Sequence, residues 1–201
     1  MPNVDTRLLV ADYLKFRLRK DELHTMWVNC PTLATPGTVQ FTMRTVGSEF
    51  EVRYNEVFTN MVNQLHITPD TAQMTYFAIV QELFHDGINW GRVVALFSFS
   101  GCLAVHCVQR EMPAVVDQIL EWTRAFVDNR LNSWINQHGG WVRIVFLFIH
   151  ILIMVYIVVP RYVGNFQMSF RIVVPALCFF VLCYCFSTTN EVVTIRLHNY
   201  A

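Results

Sequence analysis

The sequence predicts an all-α protein, a helical bundle around a central hydrophobic helix with an apolar C-terminal tail. Apolar residues recur at spacings of three and four before residue 141, and no segment shows the strict alternation of a half-buried strand. One internal stretch, Val93–Gln109, contains no Asp, Glu, Lys or Arg, and amphipathic patterns flank it on both sides. We therefore expect amphipathic helices to wrap this apolar helix.

Composition and charge narrow the class of protein. The chain has 201 residues, is 54% hydrophobic, and balances 15 Lys and Arg against 15 Asp and Glu. This composition argues against an intrinsically disordered chain, and the absence of a basic excess argues against a nucleic-acid-binding protein. The balance conceals a division, because residues 1–140 hold 11 basic and 14 acidic residues whereas residues 141–201 hold four basic and one acidic. The two parts are suited to different environments.

Two helices are predicted in the first third of the chain. An amphipathic helix over residues 7–19 follows a polar start at Asp5. Its apolar face carries Leu9, Tyr13 and Phe16. After a proline-containing loop, a second helix carries one apolar stripe: Val39, Met43, Val46, Phe50, Tyr54 and Val57. Gly47 and Ser48 interrupt the polar side of this helix, and since both are poor helix formers their presence requires a reason beyond helix propensity.

Four more helices are predicted from local signals. Thr68–Asp70 predicts a helix start with proline at the first helical position. The buried side of that helix is expected to carry Met74, Phe77 and Phe84. Asn89 is expected to cap the central apolar helix, which runs to about Cys107. Another helix starts at Glu111–Pro113, and a short helix after it ends at His138–Gly140.

The C-terminal part predicts membrane contact. Uncharged runs cover residues 144–160 and 172–190, and each is at the short end of the roughly 17–25 residues that span a bilayer. We expect a hydrophobic tail over 142–190, acting as a membrane anchor of one span or a hairpin, and a short polar C-terminus over 191–201. A marginal span, a hairpin leg and a buried helix are alternatives for each run. A multispan protein, in which 93–109 is also a permanent span, is a further alternative.

Sequence patterns of enzymes and of metal sites are absent. The chain contains no phosphate-binding loop, dinucleotide fingerprint, nucleophile elbow or zinc-protease motif. Its seven histidines are dispersed, and its six cysteines form no C-x-x-C pair. We therefore expect no catalytic activity, no cofactor and no metal, and we interpret the cysteines as buried thiols of a protein in the reducing cytosol.

Two segments carry a specific resemblance. Glu82–Ala95 (ELFHDGINWGRVVA) resembles the first homology motif of the Bcl-2 family, and Trp134–Trp141 (WINQHGGW) resembles the second. The helix around Gly47 is similar to the third motif, the death motif, and Asp5–Leu18 is similar to the fourth. The resemblance covers residues 5–141 and is to the survival-promoting branch of the family.

The resemblance implies a fold and a site. Residues 1–141 would form a Bcl-2-like bundle of eight or nine helices, with a surface groove that accepts the amphipathic death-motif helix of another protein. Arg92 would pair with the acid of the incoming helix, Gly91 would let its backbone come close, and Asn89 would offer it a hydrogen bond. The remaining groove residues implied are Phe50, Tyr54, Phe58, Leu83, Val93, Ala95 and Phe99. The chain's own death motif would comprise Val39, Met43, Val46, Gly47 and Phe50.

One departure from the family pattern bears on activity. The chain has Gly47-Ser48 where the family's death motif has Gly-Asp, and Glu49 is turned about 100° around the helix. The acid that would pair with a partner's arginine is therefore missing. This favours a receptor, an anti-apoptotic regulator that blocks permeabilisation of the mitochondrial outer membrane, over the alternative of a proapoptotic pore-forming member with the same fold.

The resemblance also implies partners and a location. The partners would be proapoptotic Bcl-2 family proteins, bound through their death-motif helices, and membrane lipid, bound through the C-terminal tail. No nucleic acid is expected, and a homo- or heterodimer is left open. The location would be the mitochondrial outer membrane, facing the cytosol, with the endoplasmic reticulum membrane as a second site.

Overall fold

The structure, a computed structural model, describes residues 4–28, 30–31, 35–65 and 67–153. Across these residues the protein is helical and has no strand, which confirms the predicted fold class. Its α-helices are α1 (Thr6–Lys20), α2 (Thr38–Gln64), α3 (Ala72–Leu83), α4 (Trp90–Gln109), α5 (Ala114–Phe126), α6 (Asn132–Gln137) and α7 (Val142–Ile153). A 3-10 turn, His24–Met26, follows α1, and a π-helical turn, Val127–Leu131, joins α5 to α6. The expected tail beyond Ile153 and the polar C-terminus lie outside the described residues.

Helix ends follow the predicted local signals. The Asp5 carboxylate accepts hydrogen bonds from the backbone N–H groups of Arg7 and Leu8, at 2.8 and 3.2 Å, and so caps α1. After α6 the chain turns through Gly139 and Gly140, whose φ values of +93° and +68° favour glycine. Local sequence chemistry therefore determines where these helices begin or end.

The apolar helix predicted at the centre is α4. It is long and apolar enough to cross a membrane by length and composition, but 94% of its apolar window is buried in the bundle. Helices α1, α2, α3 and α5 all contact it. The interpretation of α4 as a core helix is confirmed for the described residues, and its side chains supply much of the core: Val93, Val94, Leu96, Phe97, Phe99, Leu103 and Ala104.

Tryptophans of the two homology motifs meet at one end of the bundle. The Trp90 ring lies 5.4 Å from that of Trp134 and 6.1 Å from that of Trp141, both in edge-on geometry. Trp90 and Trp141 are buried, and Trp141 also contacts Phe97 of α4. Edge-on aromatic contacts of this kind stabilise packing. These residues fix how α4, α6 and the start of α7 meet.

The boundary and the buried face of α3 differ from the prediction. Thr68 and Thr71 exchange side-chain hydrogen bonds with each other's backbone N–H groups, so a turn occupies 68–71 and the helix starts at Ala72. Met74, expected to be buried, is 71% exposed. The buried side carries Ala72, Tyr76, Ile79 and Val80, while Phe77 and Phe84, also expected there, are half-buried and pack against the core. Tyr76 is accommodated because its hydroxyl hydrogen-bonds with those of Ser100 and Thr123, at 3.2 and 2.8 Å.

The apolar run after Trp141 begins as part of the bundle. Helix α7 contacts α2, and Ile144 and Val145 are only 2% and 9% exposed. Phe146 and Ile149 on the opposite side are 60% and 43% exposed. The first turns of the expected tail therefore pack against the bundle on one face and present apolar side chains on the other.

Candidate functional site

Three of the residues expected in the groove form an aromatic row on α2. The rings of Phe50 and Tyr54 are 4.6 Å apart, and those of Phe50 and Phe58 are 5.9 Å apart. A spacing of four residues places all three on one face of the helix. The backbone of Tyr54 departs from helical geometry, with φ −106° and ψ 20°, which kinks α2 within the row. The row therefore continues across the kink.

Groove residues expected on α4 lie deep in the bundle. Val93, Ala95 and Phe99 are 0%, 6% and 2% exposed, and Gly91 is also buried. Phe99 stacks on Tyr76 of α3, with the ring centroids 5.6 Å apart. These side chains contribute to the core as well as to any groove floor.

The expected groove residues line a seam between α2, α3 and α4 that has little exposed side-chain surface. All of them lie within the described residues, and Phe50 and Phe58 are buried like those on α4. Tyr54, Leu83 and Asn89 are half-buried, and no member of the set is exposed.

Asn89 and Arg92 are brought together at the start of α4. The Asn89 side-chain oxygen accepts a hydrogen bond of 2.8 Å from the backbone N–H of Arg92, which confirms the predicted helix cap. The cap aligns the first turn of α4 and holds Arg92 next to the turn that follows α3. Helix capping therefore positions this arginine.

The Arg92 guanidinium is buried and already has partners. Its side chain is 4% exposed. Nη1 donates a hydrogen bond of 2.6 Å to the backbone carbonyl of Gly87, and Nη2 lies 3.5 Å from Oδ2 of Asp86. Among the residues that the structure describes, Nε has no hydrogen-bond partner. The arginine is therefore a buried side chain, with the Gly87 carbonyl as its hydrogen-bond acceptor and the Asp86 carboxylate beside it.

The chain's own death-motif stripe faces inward. Val39, Met43, Val46 and Phe50 are 9%, 0%, 8% and 6% exposed. Gly47, on the same side, is so close to α1 that a Cβ atom there would lie 2.3 Å from the Tyr13 hydroxyl oxygen. Glycine is required here because the Tyr13 ring occupies the space of a side chain. The close approach of α1 and α2 therefore explains why a glycine lies within this helix.

A buried polar cluster joins α1, α2 and α4 behind Gly47. The Tyr13 hydroxyl donates a hydrogen bond of 2.9 Å to the Glu51 carboxylate, and Arg17 Nε lies 2.5 Å from the other Glu51 oxygen. Burial raises the pKa of Tyr13 well above its ordinary range, and burial also raises the pKa of Glu51. Periodicity placed Tyr13 on the apolar face of its helix, but it did not predict the burial of Arg17 and Glu51, because charged residues on amphipathic helices usually face solvent. Gly47 was the one local signal that another helix comes close.

A second ion pair joins α1 and α2. The Arg44 guanidinium on α2 binds both carboxylate oxygens of Asp12 on α1, and it also lies over the Phe16 ring. Asp12 is only 8% exposed. Polar contacts as well as apolar ones therefore hold α1 against the death-motif helix.

The described cysteines are free thiols with raised pKa values. Burial raises the pKa of Cys102 and of Cys107 to about 11, and it also raises that of Cys30. A thiol with a raised pKa carries little thiolate at neutral pH and is a poor nucleophile. Cys107 is buried as predicted, whereas Cys30 and Cys102 are half-buried.

A polar pocket of about 640 Å³ lies elsewhere, between the start of α1 and the α5–α7 segment. Its lining includes Arg7, Glu121, Arg124 and Asp128, which form ion pairs with one another. It shares no residue with the implied groove. The pocket and the groove are therefore separate features.

Comparison with known proteins places this geometry in a family. Residues 43–141 match the family model described as apoptosis regulator proteins, Bcl-2 family. The chain is 46% identical to Bcl-2-like protein 1 of Gallus gallus over 110 residues, which is 55% of the chain and 48% of that protein. It is 41% identical to human Bcl-2-like protein 1 over 118 residues, covering 59% and 51% of the two chains.

A third relative is the apoptosis regulator Bcl-2 of Canis lupus familiaris, 45% identical over 112 residues, covering 55% of this chain and 48% of that protein. The chain thus spans about half the length of the curated relatives that it matches. The matched region contains α4, Arg92 and the tryptophan cluster. On the two homology motifs, the helical bundle and these matches, residues 43–141 of the chain belong to the Bcl-2 family of apoptosis regulator proteins.

Proposed function

We propose that the protein is an anti-apoptotic regulator that captures the death-motif helices of proapoptotic relatives between α2, α3 and α4. By holding these relatives it would block permeabilisation of the mitochondrial outer membrane. The observation that carries this proposal is the buried Arg92 guanidinium at the start of α4, with one N–H donor that has no partner among the described residues. A buried, incompletely paired cation favours an incoming carboxylate.

Capture combines apolar burial with one ion pair. An amphipathic ligand helix presents apolar residues at spacings of three and four, which suit the aromatic row of Phe50, Tyr54 and Phe58. Its acid would reach Arg92, and a guanidinium can pair with a carboxylate through two parallel hydrogen bonds. Apolar contacts would then supply most of the affinity, while the ion pair fixes the register of the helix.

Movement of the helices around the seam would favour binding. Because the groove residues are buried or half-buried, separation of α2 or α3 from α4 would expose more of their surface to an entering helix. Rearrangements of this size are common in regulatory complexes. The kink at Tyr54 gives α2 a place at which its two halves can change direction.

The inward orientation of the chain's own death motif supports a receptor over an exported ligand. Met43 is fully buried, and Tyr13 and Glu51 tie α1 to this part of α2. Donating the motif to a partner would expose this stripe and break the buried cluster. Ser48 also replaces the acid that such a ligand would need.

We expect Arg92→Ala to weaken binding of an acid-bearing death-motif peptide about tenfold or more, because the carboxylate loses its buried partner. Calorimetry on the full chain in mild detergent measures the affinities for a peptide with one aspartate and for its asparagine variant. The asparagine peptide should lose much less. Arg110→Ala, at the exposed end of α4, is the matched control. Unchanged affinity for both peptides, with an intact helical spectrum, contradicts the groove assignment.

A leakage assay separates this function from that of a pore-forming relative. The apolar α4 is long enough to span a bilayer, so insertion by a killer is the competing mechanism. We expect the pure protein to leave liposomes of mitochondrial lipid composition intact and to reduce the leakage caused by an added pore-forming relative. Release of contents by the protein alone would assign it to the killers.

The tail over residues 142–190 would hold the receptor at the mitochondrial outer membrane, facing the cytosol, and also at the endoplasmic reticulum. Phe146 and Ile149 on the exposed face of α7 lie at the start of this tail. They offer apolar surface where the chain would approach lipid.

A further inference from the structure

The contacts of Arg92 leave one edge of its guanidinium incompletely paired. Arginine has five N–H donors in a planar fork, and carboxylates bind best across two of them. The Gly87 carbonyl accepts a hydrogen bond of 2.6 Å from Nη1. The edge formed by Nε and Nη2 therefore remains for a carboxylate. Within the described residues, Nε on this edge has no hydrogen-bond partner.

Asp86 lies at this edge but does not fill it. Its Oδ2 atom is 3.5 Å from Nη2, longer than a direct hydrogen bond between charged groups. Its other oxygen, Oδ1, is 2.9 Å from Nδ1 of His85. The Asp86 side chain is 41% exposed, whereas that of Arg92 is 4% exposed. Asp86 thus lies between solvent and a buried cation.

The turn that carries Asp86 keeps it in this position. Gly87 has φ +105°, a left-handed conformation that suits glycine and aims its carbonyl at Nη1. Two residues further, Asn89 caps α4 and holds the backbone of Arg92. Backbone geometry on both sides therefore keeps the Asp86 carboxylate next to the arginine before any ligand arrives.

We propose that Asp86 occupies the ligand-binding edge of Arg92 in the empty receptor, and that its displacement determines how strongly the groove prefers a ligand helix with an acid. This inference rests on the proposed function. The incoming carboxylate takes the Nε–Nη2 edge, and Asp86 moves toward His85 and solvent. The ligand acid and Asp86 compete for one positive charge. Asp86 is a positioning residue that acts through Arg92.

The competition predicts the sign of a substitution. In the native chain the attraction of Arg92 for a ligand acid is partly cancelled by Asp86. Asp86→Asn keeps the size of the side chain and removes the competing charge. Affinity for a carboxylate-bearing helix should therefore increase about three- to tenfold, within the range measured for single charge pairs. Affinity for the same helix with asparagine in place of the acid should hardly change.

The test uses the full chain in mild detergent and a matched pair of synthetic amphipathic peptides, one with a single aspartate and one with asparagine at that position. Calorimetry gives the affinity of each peptide for the native chain and for Asp86→Asn. Asp70→Asn, an exposed acid in the turn before α3, removes the same charge as a control. The expected result is a larger aspartate-to-asparagine ratio in Asp86→Asn and an unchanged ratio in Asp70→Asn.

Other outcomes overturn the proposal in distinguishable ways. If the aspartate peptide binds Asp86→Asn more weakly than it binds the native chain, Asp86 orients Arg92 and does not compete with the ligand. An equal gain for both peptides would mean that Asp86 limits opening of the seam or general charge, not the acid preference. If neither peptide binds the native chain, the groove function itself fails. Circular dichroism of Asp86→Asn, which alters an exposed turn, shows whether the fold is retained.

Discussion

Replacing Gly47 by alanine is expected to lower the free energy of unfolding by about 2–3 kcal/mol, even though alanine is the better helix former. Helix propensity alone predicts a gain of up to about 1 kcal/mol. The added Cβ atom, however, would lie 2.3 Å from the Tyr13 hydroxyl oxygen and 2.6 and 2.7 Å from two ring carbons. The clash outweighs the gain because Tyr13 is fully buried and its hydroxyl is bound to Glu51.

Urea unfolding followed by circular dichroism measures this effect through the midpoint and the slope of the transition. Gly101→Ala is an informative comparison, because its Cβ would lie 2.9 Å from Cγ of Arg17 and 3.2 Å from a ring carbon of Tyr13, less close than the contacts at Gly47. It should destabilise less. In a Tyr13→Ala background, Gly47→Ala should lose most of its effect, since the ring that it meets is gone. Equal losses in both backgrounds would show that the close approach is not the reason for glycine.

Replacing Glu51 by alanine is expected to destabilise the protein by about 3 kcal/mol, because it leaves the Arg17 cation buried with a single remaining carboxylate. The two side chains are 14% and 8% exposed, and their charged atoms are 2.5 Å apart. Arg17 keeps Asp21, at 2.6 Å, so the loss lies at the lower end for a broken buried pair. Tyr13 loses its hydrogen-bond acceptor as well.

Chemical unfolding of Glu51→Ala against Glu56→Ala checks this expectation, since Glu56 is exposed on the same helix. Glu56→Ala should change stability by less than about 0.5 kcal/mol. The double variant Arg17→Met/Glu51→Met, which removes both charges, should recover part of the loss, as apolar replacements of buried ion pairs often do. A Glu51→Ala protein as stable as the control would mean that this ion pair contributes nothing net.

The Glu51 pair also has a defined pH dependence. Burial raises the pKa of Glu51, and the opposing effects of Arg17 and Tyr13 are smaller. The pKa of Glu51 therefore lies above its ordinary value of 4.5. The folded state therefore binds this proton more readily than the unfolded state. The contribution of Glu51 to stability grows as the pH falls through the raised pKa toward 4.5. Unfolding of the native chain and of Glu51→Gln between neutral pH and pH 4 should show the native chain gaining relative to the variant.

Several parts of the fold were predictable because their causes are local. Asp5 and Asn89 cap helices through side-chain oxygens that reach N–H groups two or three residues away. Gly139 and Gly140 end α6 through backbone conformations that need no other element. The apolar run of α4 predicted a buried helix, because a helix that is apolar all round must be covered by other elements. Arg92 is identifiable as a groove residue from its sequence motif alone.

Other parts depended on contacts that the sequence does not display. Periodicity favoured Met74 for the buried face of α3, yet Tyr76 is buried because Ser100 and Thr123, from two other helices, satisfy its hydroxyl. Likewise Glu51 was not recognisable as a core residue. Its burial depends on Tyr13 and Arg17, which come from α1.

The sequence by itself therefore determined the helical class, the apolar centre, the capped starts of α1 and α4, and the family. Only the tertiary structure decided which polar groups are buried and why residue 47 must be glycine. It also decided that the Arg92 side chain is buried next to Asp86 and Gly87. The physical reason is the same in each case. A helix end is satisfied by its own residues, whereas a buried polar group is stable only where another element supplies its partner.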